Sequence, residues 1–308
     1  MNTRPKAVAL GGGHGLYATL TALRRTGADV TAIVTVGDDG GSSGRLREEL
    51  GIVPPGDLRM ALSALCDDTE WGRTWRDVLQ SRFDSDGPLD GHALGNLLIA
   101  SLWGRTGDVV EGLTWVSRLL NAQGRVLPLA LEPLDLVAVV GHDDHEIFGQ
   151  VAVATSRERI HSIRVEPAAP RVADATVAAI READMVILGP GSWFTSVLVH
   201  FLVPEVRAAL CDAQSRAVLT LNVGDQDVET LGMTRADEVR ALRAMAPEFR
   251  PRFALVDTLD ASSADLEREL TAWGCAMVPA SVQSRNRADA HDPLALASAL
   301  DFLLYEIG

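Results

Sequence analysis

Three stretches of this sequence place glycines and small polar residues where a backbone could meet a phosphate. The first is Gly11-Gly12-Gly13-His14-Gly15. Glycine lets a chain turn sharply and approach an anion closely, and the N–H groups opening the next helix carry partial positive charge. Read from Gly13, the run Gly-His-Gly-Leu-Tyr-Ala also fits the G-x-G-x-x-A pattern of dinucleotide sites. The second is Gly37-Asp38-Asp39-Gly40-Gly41-Ser42-Ser43-Gly44-Arg45-Leu46-Arg47. Asp38 follows the first loop by about twenty residues, where dinucleotide folds keep an acid for ribose hydroxyls. Asp38 or Asp39 could instead hold a hydrated Mg²⁺, or cap a turn. Ser42, Ser43 and Arg45 suit an anion, because the guanidinium fork matches phosphate. The third is Gly189-Pro190-Gly191-Ser192-Trp193-Phe194-Thr195-Ser196. Ser192 could cap the helix that follows, and with Gly189, Gly191 and Thr195 it makes a second phosphate cradle.

Other polar clusters suggest less chemistry. Gly91-His92-Ala93-Leu94-Gly95-Asn96 opens a helix, with Asn96 in reach of a base or sugar and His92 a capping or surface residue. Gly141-His142-Asp143-Asp144-His145-Glu146 suggests a metal cluster, but two histidines three apart without a further ligand pair read as an acidic, solvent-facing turn. Gly40-Gly41-Ser42-Ser43-Gly44 matches G-x-S-x-G by letter. A nucleophile elbow needs its serine directly between strand and helix, and Ser42 is expected deep in a polar loop. Neither H-E-x-x-H nor G-x-x-x-x-G-K-[ST] occurs, so zinc-protease and P-loop chemistries lack support. Cys66, Cys211 and Cys275 are widely spaced and read as buried thiols of a reducing compartment.

The elements that must carry these loops follow from hydrophobic patterning. The run Ala7-Val8-Ala9-Leu10 is too short for a helix and reads as a buried parallel strand. A helix over 16–25 and a strand over 30–36 complete a β-α-β unit of about thirty residues. Helices are expected at 58–65, 71–79, 94–102 and 109–120, so that 57–121 forms a helical insertion. Strand-like runs follow at 126–131, 136–140, 151–154 and 160–165. Beyond them come a helix near 171–182, strands at 185–188, 216–221 and 253–256, and a last helix at 293–305 with proline in its first turn. The alternation predicts one α/β domain over 1–308, built on a doubly wound, Rossmann-like, mostly parallel sheet, with ligands beyond the carboxyl ends of its strands.

Composition narrows the partners. A net charge of −14 argues against nucleic acid, whose binding rests on basic stripes. Lys6 is the only lysine, so arginine, helix ends and backbone N–H groups would have to meet any phosphate. No apolar run approaches the roughly 18 residues of a membrane span. Residues 1–6 lead straight into a strand without a signal peptide, which makes cytoplasm the expected location.

Taken together, these segments resemble the YvcK family. The resemblance is carried by Leu10 to Leu16, by Thr35 to Arg47, and by Pro54-Pro55-Gly56-Asp57-Leu58-Arg59. Gly95-Asn96-Leu97, Gly189-Pro190-Gly191-Ser192 with Thr195-Ser196, Asn222, and His291-Asp292-Pro293 continue it across nearly the whole chain. The family is similar in fold to CofD, the 2-phospho-L-lactate transferase. The resemblance implies a Rossmann-like core, homo-oligomers, and binding of a UDP-sugar such as UDP-N-acetylglucosamine by a regulator of carbon metabolism, cell shape and cell-wall precursor supply. Diphosphate is then expected on residues 11–15 and Gly191-Ser192, with Asp38 or Asn96 on ribose or base. The enzyme alternative is a CofD-like, Mg²⁺-dependent phospho-group transferase, and an NAD-binding protein ranks last. The chain departs from the family pattern at His14 and Gly37, at Gln226-Asp227-Val228, and at Leu270 and Ala290, where tyrosine and arginine are expected.

Overall fold

The computed structural model describes residues 4–224 and 228–308. Met1 and the pair Gln226-Asp227 noted above lie outside the described residues. A seven-stranded parallel sheet carries the fold. Its strands are β1 (Lys6–Gly11), β2 (Asp29–Val34), β3 (Arg125–Pro128), β7 (Met185–Leu188), β8 (Ala217–Thr220), β9 (Phe253–Asp257) and β10 (Ala276–Ala280), in the order β10-β9-β8-β7-β1-β2-β3. Residues 7–10, 185–188 and 217–220 are buried without exception. That explains why these strands read as unbroken apolar runs: helices cover both faces of the sheet.

The chain starts at β1, steps outward to β2 and β3, and later returns to β7 on the other side of β1. Strand order therefore reverses between β1 and β7, and in open α/β sheets the crevice at such a reversal is where ligands bind. The expected Rossmann-like, doubly wound architecture is present.

Helices fill the connections. They are α1 (Gly13–Leu23), α2 (Gly41–Leu50), α3 (Gly56–Leu65), α4 (Glu70–Gln80), α5 (Leu94–Thr106), α6 (Val109–Leu119), α7 (Gln150–Thr155), α8 (Asp174–Glu182), α9 (Pro204–Asp212), α10 (Arg235–Met245), α11 (Ala264–Trp273) and α12 (Pro293–Ile307). Helices α3 to α6 all lie in the crossover from β2 to β3, and α1 packs against α3 and α12. Asp292 caps α12 by accepting from Leu294 and Ala295 N–H, with Pro293 in the first turn as its fixed φ favours.

Three expectations need correction. The polar loop 37–44 ends early, because α2 begins at Gly41 and places Ser42 and Ser43 in its buried first turn. Residues 151–154 form part of α7 rather than a strand. Asp39 Oδ1 accepts from Val151 N at 2.9 Å and holds that helix from across the chain. Finally, 136–140 and 160–165 do not join the parallel sheet. As β4 (Asp135–Val140) and β6 (Ile160–Glu166) they form an antiparallel sheet with β5 (His145–Phe148), in the order β5-β4-β6. The acidic turn is confined to 141–144, with Gly141 and Asp144 at positive φ, and His145 and Glu146 begin β5.

Two buried histidines set a pH limit on this fold. Burial pushes the His200 and His291 imidazoles down from 6.5 to about 4. A depressed histidine is neutral in the fold, so its contribution is complete above pH 6.5 and is lost as pH falls toward about 4. Each is worth on the order of 3 kcal/mol across that window. Urea midpoints should fall from pH 7 to 4.5, and less so in His291→Gln; an unchanged pH slope in that variant contradicts the assignment.

Candidate functional site

Strand β1 runs out at Gly11, and Gly12 continues extended (φ −153°, ψ 172°) as the residue preceding α1. Gly12 has no room for a side chain. A Cβ there would lie 2.5 Å from both Asp57 Oδ2 and Thr35 Oγ1. Gly15 is tighter still, since its Cβ would stand 2.2 Å from Pro190 O and 2.7 Å from Gly191 Cα. The first turn of α1 therefore lies backbone to backbone on the Gly-Pro-Gly turn after β7. Gly13, at φ +54°, has nothing within 4 Å of its missing Cβ.

Beyond these turns opens a cleft of about 590 Å³ at the carboxyl ends of β1, β7 and β8. Gly12, Gly13, His14 and Gly15 line one side of it, and Gly191, Ser192, Thr195 and Asn222 also line it. The first and third glycine-rich loops are thus brought to one place. Gly11 and Gly189 sit behind, at the ends of their strands.

The donors in this cleft are unequally available. The leading N–H groups of a helix have no intrahelical acceptor. In α1 Leu16 N bonds Gly12 O and the Gly13 N–H faces Asp57, lowering its pKa, which leaves those of His14 and Gly15 for a ligand. The third loop offers less than its sequence suggests. Ser192 makes no capping bond, and the segment behind it is a five-residue π-type turn, Trp193–Val197. Its Phe194 N–H donates to Glu229 Oε1 at 2.9 Å, so a carboxylate already occupies that end. Asn222 grips Gly191 by both ends: Oδ1 accepts from Gly191 N and Nδ2 donates to Gly191 O, each at 2.8 Å. Its amide holds the turn in place.

Asp57 is the residue that sequence reasoning passed over, although it stands in the quoted Pro-Pro-Gly-Asp run. From the first turn of α3 it accepts from Thr35 Oγ1 at 3.0 Å, faces the Gly13 N–H, and lines the cleft. Burial, and then the neighbouring Asp38 charge, push its pKa up to about 6. Asp38 Oδ1 accepts from Gly40 N at 3.0 Å in an Asx turn, while Oδ2 lies toward Gly56. Asp38 and Asp57 are hence the carboxylates that could share a divalent cation. Asp39 is committed elsewhere, to the start of α7.

The second glycine-rich loop does not reach this cleft. Ser42 Oγ accepts from Asn96 Nδ2 (3.0 Å) and Ala93 N (3.3 Å), so its own hydrogen goes to His92 Nδ1 at 3.0 Å. Asn96 Oδ1 accepts from Arg59 Nε at 2.9 Å. This buried network ties α2 to α5 and keeps Asn96 buried and out of the lining of the cleft. Ser43 is buried beside Gly56. Arg45 borders a separate cleft of about 850 Å³, donating to Pro88 O (3.3 Å) and Asp90 O (2.6 Å). At the β4–β5 turn, His145 sits between Asp143 (2.8 Å) and Glu158 (3.5 Å). Asp143, above all, raises its pKa, and Asp143, His145 and Glu158 gather as an exposed cluster in which His142 supplies no ligand atom.

The parallel sheet, the reversal at β1 and the glycine-rich cleft define a Rossmann-like α/β protein with a crevice at the strand-order reversal. The family model of 2-phospho-L-lactate transferase CofD matches residues 7–289, and the chain belongs to that family. A Mycobacterium leprae protein provisionally named a gluconeogenesis factor is 45% identical over 307 residues, covering 96% of this chain and 85% of the relative. The Bacillus subtilis gluconeogenesis factor is 40% identical over 271 residues, covering 88% and 82%. A crystallised UPF0052-family protein from Bacillus halodurans superposes with a TM-score of 0.87 at 32% identity, covering 97% of this chain and 99% of that one.

The contact at Gly15 is testable by stability alone. Gly15→Ala drives a methyl into backbone and should cost more than about 2 kcal/mol. Gly104→Ala, in the exposed last turn of α5 with nothing within 4 Å, should instead gain a few tenths of a kcal/mol to about 1 kcal/mol. Equal urea midpoints for the two variants contradict the packing described.

Proposed function

We propose that this protein binds a nucleotide sugar, with UDP-N-acetylglucosamine the leading candidate, and acts as a regulator of carbon metabolism and cell-wall precursor supply. The observation that carries this is the cleft at the strand-order reversal, where open N–H groups of α1 meet a glycine floor that lets a diphosphate approach. The relatives' names as gluconeogenesis factors support the regulatory part. A role in cell shape, a cytoplasmic location and a homo-oligomeric state belong to the same proposal. Among the described residues, no single helix is long and apolar enough to cross a membrane. The diphosphate sits at His14 and Gly15 N–H, and the sugar and nucleoside extend toward Thr195 and Asn222.

A second proposal, a Mg²⁺-dependent phospho-group transferase, is favoured by one observation. Asp38 and Asp57 are close enough for one charge to raise the other's pKa, the kind of carboxylate pair that an oxygen-seeking cation joins. Phosphoryl-type transfer needs positioning and charge neutralisation more than a nucleophile, so the fold suits it.

The two proposals predict opposite pH dependence. With a depressed charge at Asp57, an anionic ligand binds more tightly as pH falls through about 6. A Mg²⁺ bridge needs both carboxylates ionised and weakens over the same interval. Titration calorimetry with UDP-N-acetylglucosamine at pH 7.5 and 5.5, with and without Mg²⁺, should give micromolar, metal-independent binding that tightens at the lower pH. Asp57→Asn should remove most of that change. Gly13→Phe should abolish binding while leaving the chain folded, at a cost of about 1–2 kcal/mol for its left-handed backbone. Retained affinity in Gly13→Phe moves the ligand out of this cleft.

A further inference from the structure

The C-terminal loop 284–290 carries two charged side chains to the cleft, and they are occupied with each other. Arg287 Nη2 lies 2.8 Å from Asp289 Oδ2, and Arg287 Nε lies 3.2 Å from Oδ1. Among the described residues lining the cleft, Arg287 is the only arginine or lysine. In a chain of net charge −14, with Asp57 also at the cleft, this guanidinium is the one permanent positive charge among the described residues that line it.

The loop's backbone is held, so only the side chain is free to choose its acceptor. Ser284 N bonds Ala290 O at 2.8 Å, and Gln283 Nε2 donates to Ala288 O at 2.6 Å. Gly224, at φ +66°, lies so close that a Cβ would stand 2.0 Å from Ala288 O. His291 Nε2 donates to Leu221 O at 3.2 Å and ties the loop's end beside Asn222. Arg287 and Asp289 are 63% and 58% exposed at their side chains, so their pairing is weak. Exposed pairs are worth about two- to five-fold in an equilibrium constant. A diphosphate offers a bidentate, more highly charged partner for the same fork.

We propose that Asp289 is a built-in competitor for the ligand phosphate: it holds Arg287 in the empty cleft and yields it when a diphosphate enters. The proposal rests on the nucleotide-sugar reading of this cleft. Its consequence is selectivity. A ligand without a strongly anionic group leaves the pair closed, whereas a diphosphate opens it and gains Arg287.

The test is a double-mutant cycle by calorimetry with UDP-N-acetylglucosamine and, separately, inorganic pyrophosphate. Asp289→Asn should tighten binding about two- to five-fold. Arg287→Ala should weaken it about ten- to a hundred-fold. Asp289→Asn should add nothing in the Arg287→Ala background. Weaker binding of Asp289→Asn in both backgrounds means that Asp289 touches the ligand directly. Equal tightening in both means a general charge effect. Either result overturns the proposal. If the wild type takes up no UDP-sugar, the functional reading falls, while pyrophosphate in the same variants still decides whether Asp289 competes for Arg287.

Discussion

The first turn of α1 can lie on the Gly-Pro-Gly turn after β7 only because Gly15 has no side chain, since a Cβ would meet Pro190 O at 2.2 Å. Most of the site follows from that approach. It brings the ends of β1 and β7 together at the point where strand order reverses, and it aims α1's leading N–H groups into the crevice. Asn222 fixes the other partner by holding both polar groups of Gly191. Asp57 fixes the near side through Thr35. The glycines at 12 and 15 are thus packing requirements, whereas Gly13 is a residue whose missing side chain leaves the cleft open.

The electrostatics of this cleft are unusual for the anion site proposed for it. The protein is acidic overall, and Asp57 and Asp289 both line the crevice. Attraction has to come from short-range, oriented N–H groups and from one guanidinium. Such donors act over a single turn of helix and are insensitive to net charge. They favour a ligand that seats its phosphates closely over one drawn in from a distance by the field of the whole protein.

Much of the fold was legible in the sequence where local pattern and final environment agree. Residues 7–10 and 185–188 read as parallel strands because burial on both faces leaves nothing but apolar residues. The start of α12 was legible from Pro293. The misses share a cause in contacts distant along the chain. Gly41-Ser42-Ser43-Gly44 has poor helix propensity, and its helical state depends on Ser42 bonding to residues 92, 93 and 96. Residues 151–154 alternate like a strand, yet Asp39 caps them as a helix. At the site, the first and third glycine loops line one cleft, whereas Asn96, Ser42 and Arg45 turn to other partners. Asp57 stood in the Pro-Pro-Gly-Asp run without a role attached to it, and Arg287 and Asp289 carried no distinguishing local signal, because their significance arises from what folds against them.

The central claim concerns where the phosphates sit, and a crystal structure with UDP-N-acetylglucosamine tests it most directly. The account predicts diphosphate oxygens about 3 Å from the His14 and Gly15 N–H groups, with Gly13 beneath them. Phosphates seated instead in the cleft beside Arg45, or at the Trp193 turn in place of Glu229, would contradict it.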